Sequence, residues 1–392
     1  MTQIEPGGAA RGNSNDHVRR HNLSVILELV HHNRGMSRSQ LTQRMGLNRS
    51  TIGALVADLV ERDLVREEDA PSTNQVGRPS PIVKPSDTPV GIAVNPEIDA
   101  ITLGVIGLGG TVLTTVRRPV DGLPSAADAV AITARALDEL RPGLAATHRI
   151  TGIGVAVPGL VRASDGLVRL APHLRWHDEP FAAMLQDATG LPVSAANDAR
   201  LGARAESAFG AGRGVGDLIY VNGGASGIGG GIIAGGQPLG GAEGFAGELG
   251  HTSVNPYGVA CHCGGVGCLE TEVRRERLLE VTGLGSESVD RLAEALATST
   301  DPLVTAEVGR QLDLLAVALR NAVNLLNPRL VLLGGFLAAL QGADPSRLEH
   351  LGALAASADG LAIRPAELGA DLLMIGAGEL AFEALIADPT AF

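Results

Sequence analysis

HTSVNPYGVACHCGGVGC runs from His251 to Cys268. It holds all three cysteines of the chain, Cys261, Cys263 and Cys268, with a histidine ten residues before the first. Three thiols cannot all pair with one another, and no Cys-x-x-Cys pair is present to suggest redox chemistry. Cys-x-Cys-x4-Cys preceded by a histidine supplies three thiolates and one imidazole, and Zn²⁺ favours four such ligands in tetrahedral geometry. The predicted ligands are His251, Cys261, Cys263 and Cys268. His262 competes, but adjacent residues in CHC would strain a common site. A Cys3His set leaves no coordination position open, so the expected role of the zinc is structural. It would hold a loop with little apolar content, and Gly264, Gly265 and Gly267 would permit its tight path.

The rest of the chain bounds the setting. Its 392 residues suit two or three domains. A hydrophobic content of 45% with 19% charged residues is that of a soluble globular protein. Aromatics are only 2%, so small aliphatic residues and 52 glycines must do the packing and turning. No segment reaches the ~18 uninterrupted apolar residues of a membrane span. LVLLGGFLAAL from Leu330 is too short, and no membrane partner is expected. MTQIEPGGAARGNSNDH has no basic stretch leading into an apolar one, so a cytoplasmic location is expected. The net charge of −12 argues against nucleic acid until its distribution is read. From Arg11 to Arg62, eight arginines face four acids, so a basic head precedes an acidic body.

In the head, Leu23, Ile26, Leu27 and Val30 repeat at i, i+3, i+4, i+7, one apolar helical stripe closing at Gly35. SRSQLTQRMGL follows, with Ser37 and Gln40 as a capping box, Leu41 and Met45 inward, and Gly46 as terminator. Asn48 can cap a third helix whose inward residues are Ile52, Leu55, Val56, Leu59 and Val60. Two short helices around a tight turn, the second opening on Asn48, Arg49, Ser50 and Thr51, form a helix-turn-helix arrangement. Its second helix would enter a major groove, where Arg reads guanine and Asn, Ser and Thr read bases or phosphate. LVREEDAPSTNQVGRPSPIVKPS then reads as two short strands around a loop, a wing whose Arg78 could enter a minor groove. The expected DNA-contacting set is Arg38, Asn48, Arg49, Ser50, Thr51 and Arg78. The stretch 70–89 has linker composition.

From Val90 the chain alternates strand-like and helical runs, predicting an α/β body with mostly parallel sheets. VGIAV, AITLGVI and TVLTTVRRPV predict a meander, and a helix is expected near Ala126–Leu140. The glycine run Gly223–Gly231 allows close approach to a ligand, though glycines also serve tight hairpins. Asn197-Asp198 lies where a strand gives way to a helix. Asp198 there could be a general base or simply a helix cap.

The stretches GIGVAVPGLV, LAPHLRW, LPVSAANDARLGA, GIGGGI, GAEGFAGELGH, CHCGGVGCLE and NLLNPRLVLLGG together resemble the ROK family, which comprises sugar kinases and sugar-responsive repressors. The head resembles the winged helix of the family's repressors. The resemblance implies an actin-like, ATPase-type fold of two α/β lobes with a sugar cleft between them. By residue match, Asn197, Asp198, Glu248, His251 and Glu270 would hydrogen-bond sugar hydroxyls, and Asp198 would be the base in a kinase. His251 would bind zinc through one ring nitrogen and offer the other to the sugar.

Departures from the family pattern separate its two functions. The kinases open the body with Asp-x-Gly-Gly-Thr after a strand, serving phosphate and Mg²⁺. Here Ala93 takes the place of the Asp, and Asn95-Pro96 that of the glycines. GGASGIG replaces the second phosphate motif, and His173 replaces a usual Asn on the sugar side. A structural zinc is therefore expected, and ATP with Mg²⁺ is not. The expected partners are a palindromic operator, a sugar or sugar derivative, and further copies of the chain in a homodimer or homotetramer. The expected activity is regulation without catalysis, with a sugar kinase as the alternative. The expected organisation is a flexible stretch 1–15, a winged helix-turn-helix over 16–85, a small lobe of 88–199 plus 368–392, and a large zinc-bearing lobe of 200–367.

Overall fold

The computed structural model describes residues 15–69, 80–349 and 360–392. They form two compact units. One, the head, runs to Pro89 and includes Phe382–Phe392; the other, the body, is Val90–Ala381. Phe382–Phe392, expected in the small lobe of the body, thus group with the head.

The head is built on three helices, α1 (Asn15–His32), α2 (Arg38–Met45) and α3 (Arg49–Glu61). Leu23, Ile26, Leu27 and Val30 of α1 are fully buried with Leu41, Ile52, Val56 and Leu59, which is the stripe the spacing predicts. Each such side chain contributes about 1.5–3 kcal/mol on leaving water. Met45 is only half-buried, and Val60 is 40% exposed. Val60 lies at i+8 from Ile52, on the flank of a stripe already filled by Leu55, Val56 and Leu59. Ser37 and Gln40 form the capping box. Gly46 ends α2 at φ 66°, and the Asn48 side chain accepts the Thr51 N–H at 2.8 Å. The wing strands β2 (Val65–Glu68) and β3 (Ile82–Pro85) pair antiparallel. A two-residue strand β1 (Met36–Ser37), which no sequence period announced, pairs with the far edge of β3. Arg78, the proposed wing-tip residue, lies outside the described residues.

The body opens with the predicted meander, β4 (Pro89–Pro96), β5 (Ala100–Gly107) and β6 (Thr111–Pro119). Helix α4 (Ala126–Leu144) begins at a Ser125–Asp128 capping box. Strand β7 (Arg149–Val157) follows, then β8 (Leu160–Val161), β9 (Val168–Ala171) and β10 (Trp176–Glu179), which make a small antiparallel sheet. Next come α5 (Phe181–Thr189), β11 (Val193–Asn197) and α6 (Asp198–Phe209). The first large sheet has the order β11-β7-β4-β5-β6. Ile92, Val94, Leu103 and Val155 from this sheet are buried against Ala129 and Leu137 of α4.

The second large sheet is built from β12 (Leu218–Gly224), β13 (Gly227–Ala234), β14 (Gln237–Pro238), β15 (Leu330–Gly335) and β16 (Ala362–Pro365), in the order β14-β13-β12-β15-β16. Between β14 and β15 run α7 (Leu269–Glu272), α8 (Arg275–Thr282), α9 (Leu292–Thr298) and α10 (Pro302–Leu326). Helix α11 (Phe336–Ala343) follows β15, and α12 (Leu372–Ala387) closes the chain's regular structure. Leu312, Leu315 and Leu319 of α10 pack with Val221, Val331 and Leu333 of the sheet.

Both large sheets are mixed rather than mostly parallel. β11 pairs parallel with β7, as β15 does with β12 and β16, each through a helical crossover or a long return. The meander and the β12–β13 hairpin are joined by turns too short for any pairing but antiparallel. Among the described residues no helix is long and apolar enough to cross a membrane.

Candidate effector and metal site

Strand β11 delivers Asn197 to the start of α6, where its two side-chain atoms do different work. Oδ1 accepts the Arg200 N–H at 3.0 Å and caps the helix, while Nδ2 donates to the Gly159 carbonyl at 3.0 Å. The cap is therefore Asn197. Asp198, the first helical residue, accepts the Ala199 N–H at 2.7 Å and keeps its other oxygen for the cleft. Burial pushes the Asp198 carboxyl up to about 6, with the Glu248 carboxylate adding to the rise. Burial also raises Glu248, with Glu270 reinforcing the shift and His251 opposing it.

These residues open onto one cleft in the body of about 570 Å³, counting its mouth. All five residues expected to bind sugar line it: Asn197, Asp198, Glu248, His251 and Glu270. Such a ring of carboxylates, amide and imidazole offers the directed acceptors and donors that a polyol requires. His173, whose departure from the family pattern was noted, also lines the cleft, from a short turn between β9 and β10. Asn222 and Ser226, at the end of β12 and in its hairpin turn, were not singled out from the sequence. Asn222 adjoins the glycine run and Ser226 lies inside it, and neither follows a spacing that marks a ligand contact.

That hairpin is held against Glu270. Gly227 has φ 123°, and a Cβ there would stand 2.6 Å from the Glu270 Oε2. Only glycine suits both the backbone angle and the approach.

The opening stretch folds as a loop whose ends are tied by isolated bridges, Ser253 with Cys268 and Ala260 with Val266. Gly267 at φ 61° brings the chain so close that a Cβ would meet the Asn255 carbonyl at 1.6 Å. Glu272, nearly buried, clasps the loop by accepting the Val259 N–H at 2.8 Å and the Asn255 amide at 3.3 Å. Sequence reasoning missed Glu272 because its partners are backbone and amide groups at no fixed spacing from it.

His251, Cys261, Cys263 and Cys268 present ligand atoms that all lie within 4.8 Å of one another. The Cys263 and Cys268 sulfurs are 3.6 Å apart, as are the Cys261 sulfur and the His251 Nδ1. With Zn–S near 2.3 Å and Zn–N near 2.0 Å, the edges of a tetrahedral site are roughly 3.5–3.8 Å. The residues present therefore fit the predicted ion. Burial pushes the Cys261 thiol up to about 12, a position a divalent cation would reverse. His251 faces the Cys261 sulfur through Nδ1, and the residue also lines the cleft.

In the head, Asn48, Arg49 and Ser50 are exposed on the first turn of α3, with Thr51 half-buried behind them. The Asn48 oxygen is used by Thr51 N–H and Ser50 Oγ, which leaves its amide as the outward donor. Arg38 lies apart from them in role. Its guanidinium is engaged with Glu67 of the wing strand, and its Nη1 passes 3.6 Å from where a Cβ on Gly53 would be.

A two-lobed body with such a cleft, carrying a winged helix ahead of it, matches the ROK family pattern over residues 93–383. The chain belongs to the ROK family. The MarR family pattern matches residues 20–73, the helices and first wing strand of the head. The xylose repressor of Caldicellulosiruptor bescii is 27% identical over 332 residues, covering 80% of this chain and 82% of that protein. The dual regulator NagC of Escherichia coli is 28% identical over 350 residues, covering 85% and 84%. A glucokinase of Halalkalibacterium halodurans is 33% identical over 276 residues, covering 64% of this chain and 82% of its own. Among solved structures, a ROK family transcriptional regulator described as a homologue of the E. coli MLC protein superposes with a TM-score of 0.78. It shares 26% identity and covers 95% of this chain and 98% of its own. The match to the family's regulators thus takes in the head, whereas the glucokinase match leaves about a third of the chain uncovered. The chain is a transcriptional regulator of the ROK family.

Proposed function

We propose that this regulator is a repressor that binds a palindromic operator and answers to a sugar held in the body cleft, without phosphorylating it. The observation that carries the reading is the joint placement of Asn197, Asp198, Glu248, His251 and Glu270 around one cleft of the body, in a chain that also carries a head of winged-helix form. Ala93 supports the absence of phosphoryl transfer. It is a fully buried residue inside β4, where the family's kinases carry a carboxylate. Beyond it, Asn95 donates to Glu97 at 3.1 Å, and Arg117 also reaches Glu97, so an acidic polar cluster closes the turn. Metal-assisted phosphoryl transfer needs a carboxylate for Mg²⁺ and open donors for phosphate, and a Glu at this turn opposes phosphate.

In this reading a structural zinc on His251, Cys261, Cys263 and Cys268 shapes the cleft and performs no chemistry. Arg49 with Asn48, Ser50 and Thr51 reads the major groove, Arg38 also contacts the DNA, Arg78 enters a minor groove, and two copies span the two half-sites. The sugar acts by binding the DNA-competent and DNA-incompetent states unequally. The test is to incubate the protein with fragmented genomic DNA of its source and sequence what it retains, with and without sugars. Enrichment of palindromes near sugar transport or catabolism genes is expected; no enrichment under any condition would remove the reading.

One observation favours the kinase alternative: an Asp198 carboxyl raised to about 6 is placed for general-base work near neutral pH. Sugar-dependent ADP release that vanishes in Asp198→Asn would establish it.

A further inference from the structure

One oxygen of Glu270 is approached by a thiol and two imidazole nitrogens. Oε1 lies 3.2 Å from the Cys261 sulfur, 3.5 Å from His251 Nδ1 and 3.3 Å from His262 Nδ1. The other oxygen lies where a Cβ on Gly227, the first residue of β13, would stand 2.6 Å from it. Glu270 is nearly buried, while His262 is about half-exposed at the cleft wall, its ring edge-on to His251 at 5.2 Å.

The three groups are not equivalent once the Cys3His set is filled. A metal-bound Cys261 has no S–H to give, and a metal-bound His251 Nδ1 has its lone pair on the ion and no proton. The thiolate then faces the carboxylate as a like charge. His262 Nδ1 then stands 3.3 Å from Oε1 and 3.9 Å from the Cys261 sulfur, so a proton on it has the carboxylate as its nearer acceptor. We infer that His262 is the positioning residue for Glu270: it fixes the carboxylate toward the cleft after the cysteines and His251 have been claimed by the metal. This rests on the sugar reading of the cleft. It also gives His262 a role distinct from that of a metal ligand, although it lies between two of them.

The consequence is a division of labour inside CHC. Cys261 and Cys263 hold the loop, and the imidazole between them holds a sugar-facing acid. Losing the imidazole should cost effector affinity and leave the metal in place. Asparagine, whose amide nitrogen can occupy nearly the position of the imidazole Nδ1, should restore the bond.

Two measurements on the full-length, zinc-loaded protein test this. The first is nitrogen-15 NMR of the imidazoles without sugar, with His262→Asn used to assign the His262 resonances. His262 Nδ1 is expected to carry the proton, and its resonance to move in Glu270→Gln. An unmoved resonance overturns the proposal. The second is calorimetric titration with D-glucose and D-xylose. His262→Ala is expected to weaken whichever sugar the unmodified protein binds by roughly ten-fold or more, the loss typical of a charge-assisted hydrogen bond. His262→Asn should recover most of that affinity, with one zinc per chain retained in both variants. Unchanged affinity in His262→Ala overturns the proposal, and loss of zinc in that variant overturns it by making His262 a ligand. If the unmodified protein binds neither sugar, the sugar reading is in trouble, and the NMR result still decides whether His262 holds Glu270.

Discussion

Arg38 and Glu67 are joined by two parallel hydrogen bonds of 2.5 Å each, Nε to Oε1 and Nη2 to Oε2. The pair fastens the first residue of α2 to the wing strand β2. A bidentate guanidinium–carboxylate pair is directional as well as attractive, so it sets the angle at which the wing leaves the helices. The pair uses Nε and Nη2 and leaves the Nη1 protons of Arg38 for a phosphate.

Arg38→Ala and Arg49→Ala should therefore differ in kind. Arg38→Ala is expected to lower head stability by about 1 kcal/mol or less, the range of part-exposed ion pairs, and to weaken operator binding. Arg49→Ala should leave the melting temperature unchanged and weaken operator binding by about ten-fold or more. Thermal denaturation and mobility-shift titration of both variants check this. Equal losses of binding with no change in melting for either would contradict the division.

Asp198→Asn should stabilise the protein at neutral pH. A carboxyl raised from its ordinary value to about 6 is held ionised at a cost above that pH. The cost shrinks as pH falls through about 6 and is gone below the ordinary carboxyl range, because the folded state then binds the extra proton more readily. The gain from the substitution is expected to be ~1–3 kcal/mol at pH 7.5 and to vanish near pH ~3. Melting curves across this window read it. The same variant should bind sugar more weakly at pH 7.5, so the cleft would trade stability for recognition.

Removing the proposed zinc should disorder the loop before it disturbs the sheets. The loop has exposed Tyr257, Val259 and Val266 and few apolar contacts of its own, whereas the cores of both large sheets lie elsewhere. Chelation, or Cys263→Ser, is expected to abolish sugar binding while far-ultraviolet circular dichroism changes little. Metal analysis should give one zinc per chain beforehand. Full sugar affinity in a zinc-free protein would refute the coupling.

The tail should matter to the head. Asp388 pairs with Arg20 at 3.3 Å, and Arg62 donates to the Thr390 carbonyl at 3.1 Å. The ring of His31 meets Phe382 edge-on at 5.6 Å. Deleting residues 388–392 should lower head stability by about 1–2 kcal/mol through the lost charged hydrogen bonds. Limited proteolysis near Arg62 should speed up. Unaltered cleavage would show the tail to be dispensable there.

The legible parts of this protein were those written in local spacing. Leu23 to Val30, the Ser37–Gln40 box, the Gly46 stop and the Asn48 cap are each set by neighbours within one or two helical turns, and the structure reproduces them. The gathering of the three cysteine sulfurs was legible because the short spacings of Cys-x-Cys-x4-Cys leave them little room to separate.

What the spacing did not carry was set by groups far apart in the chain. Glu272 clasping Val259 and Asn255, Arg38 turning to Glu67, and the last eleven residues completing the head all depend on chain segments meeting in three dimensions. The same is true of sheet direction, which depends on the length of each connection as well as the strand's own composition. Periodicity reports which face of an element is apolar. Which polar partner waits across a gap depends on how the elements pack, so His262, Glu270 and Gly227 came together only once the sheets and the loop had folded onto one another.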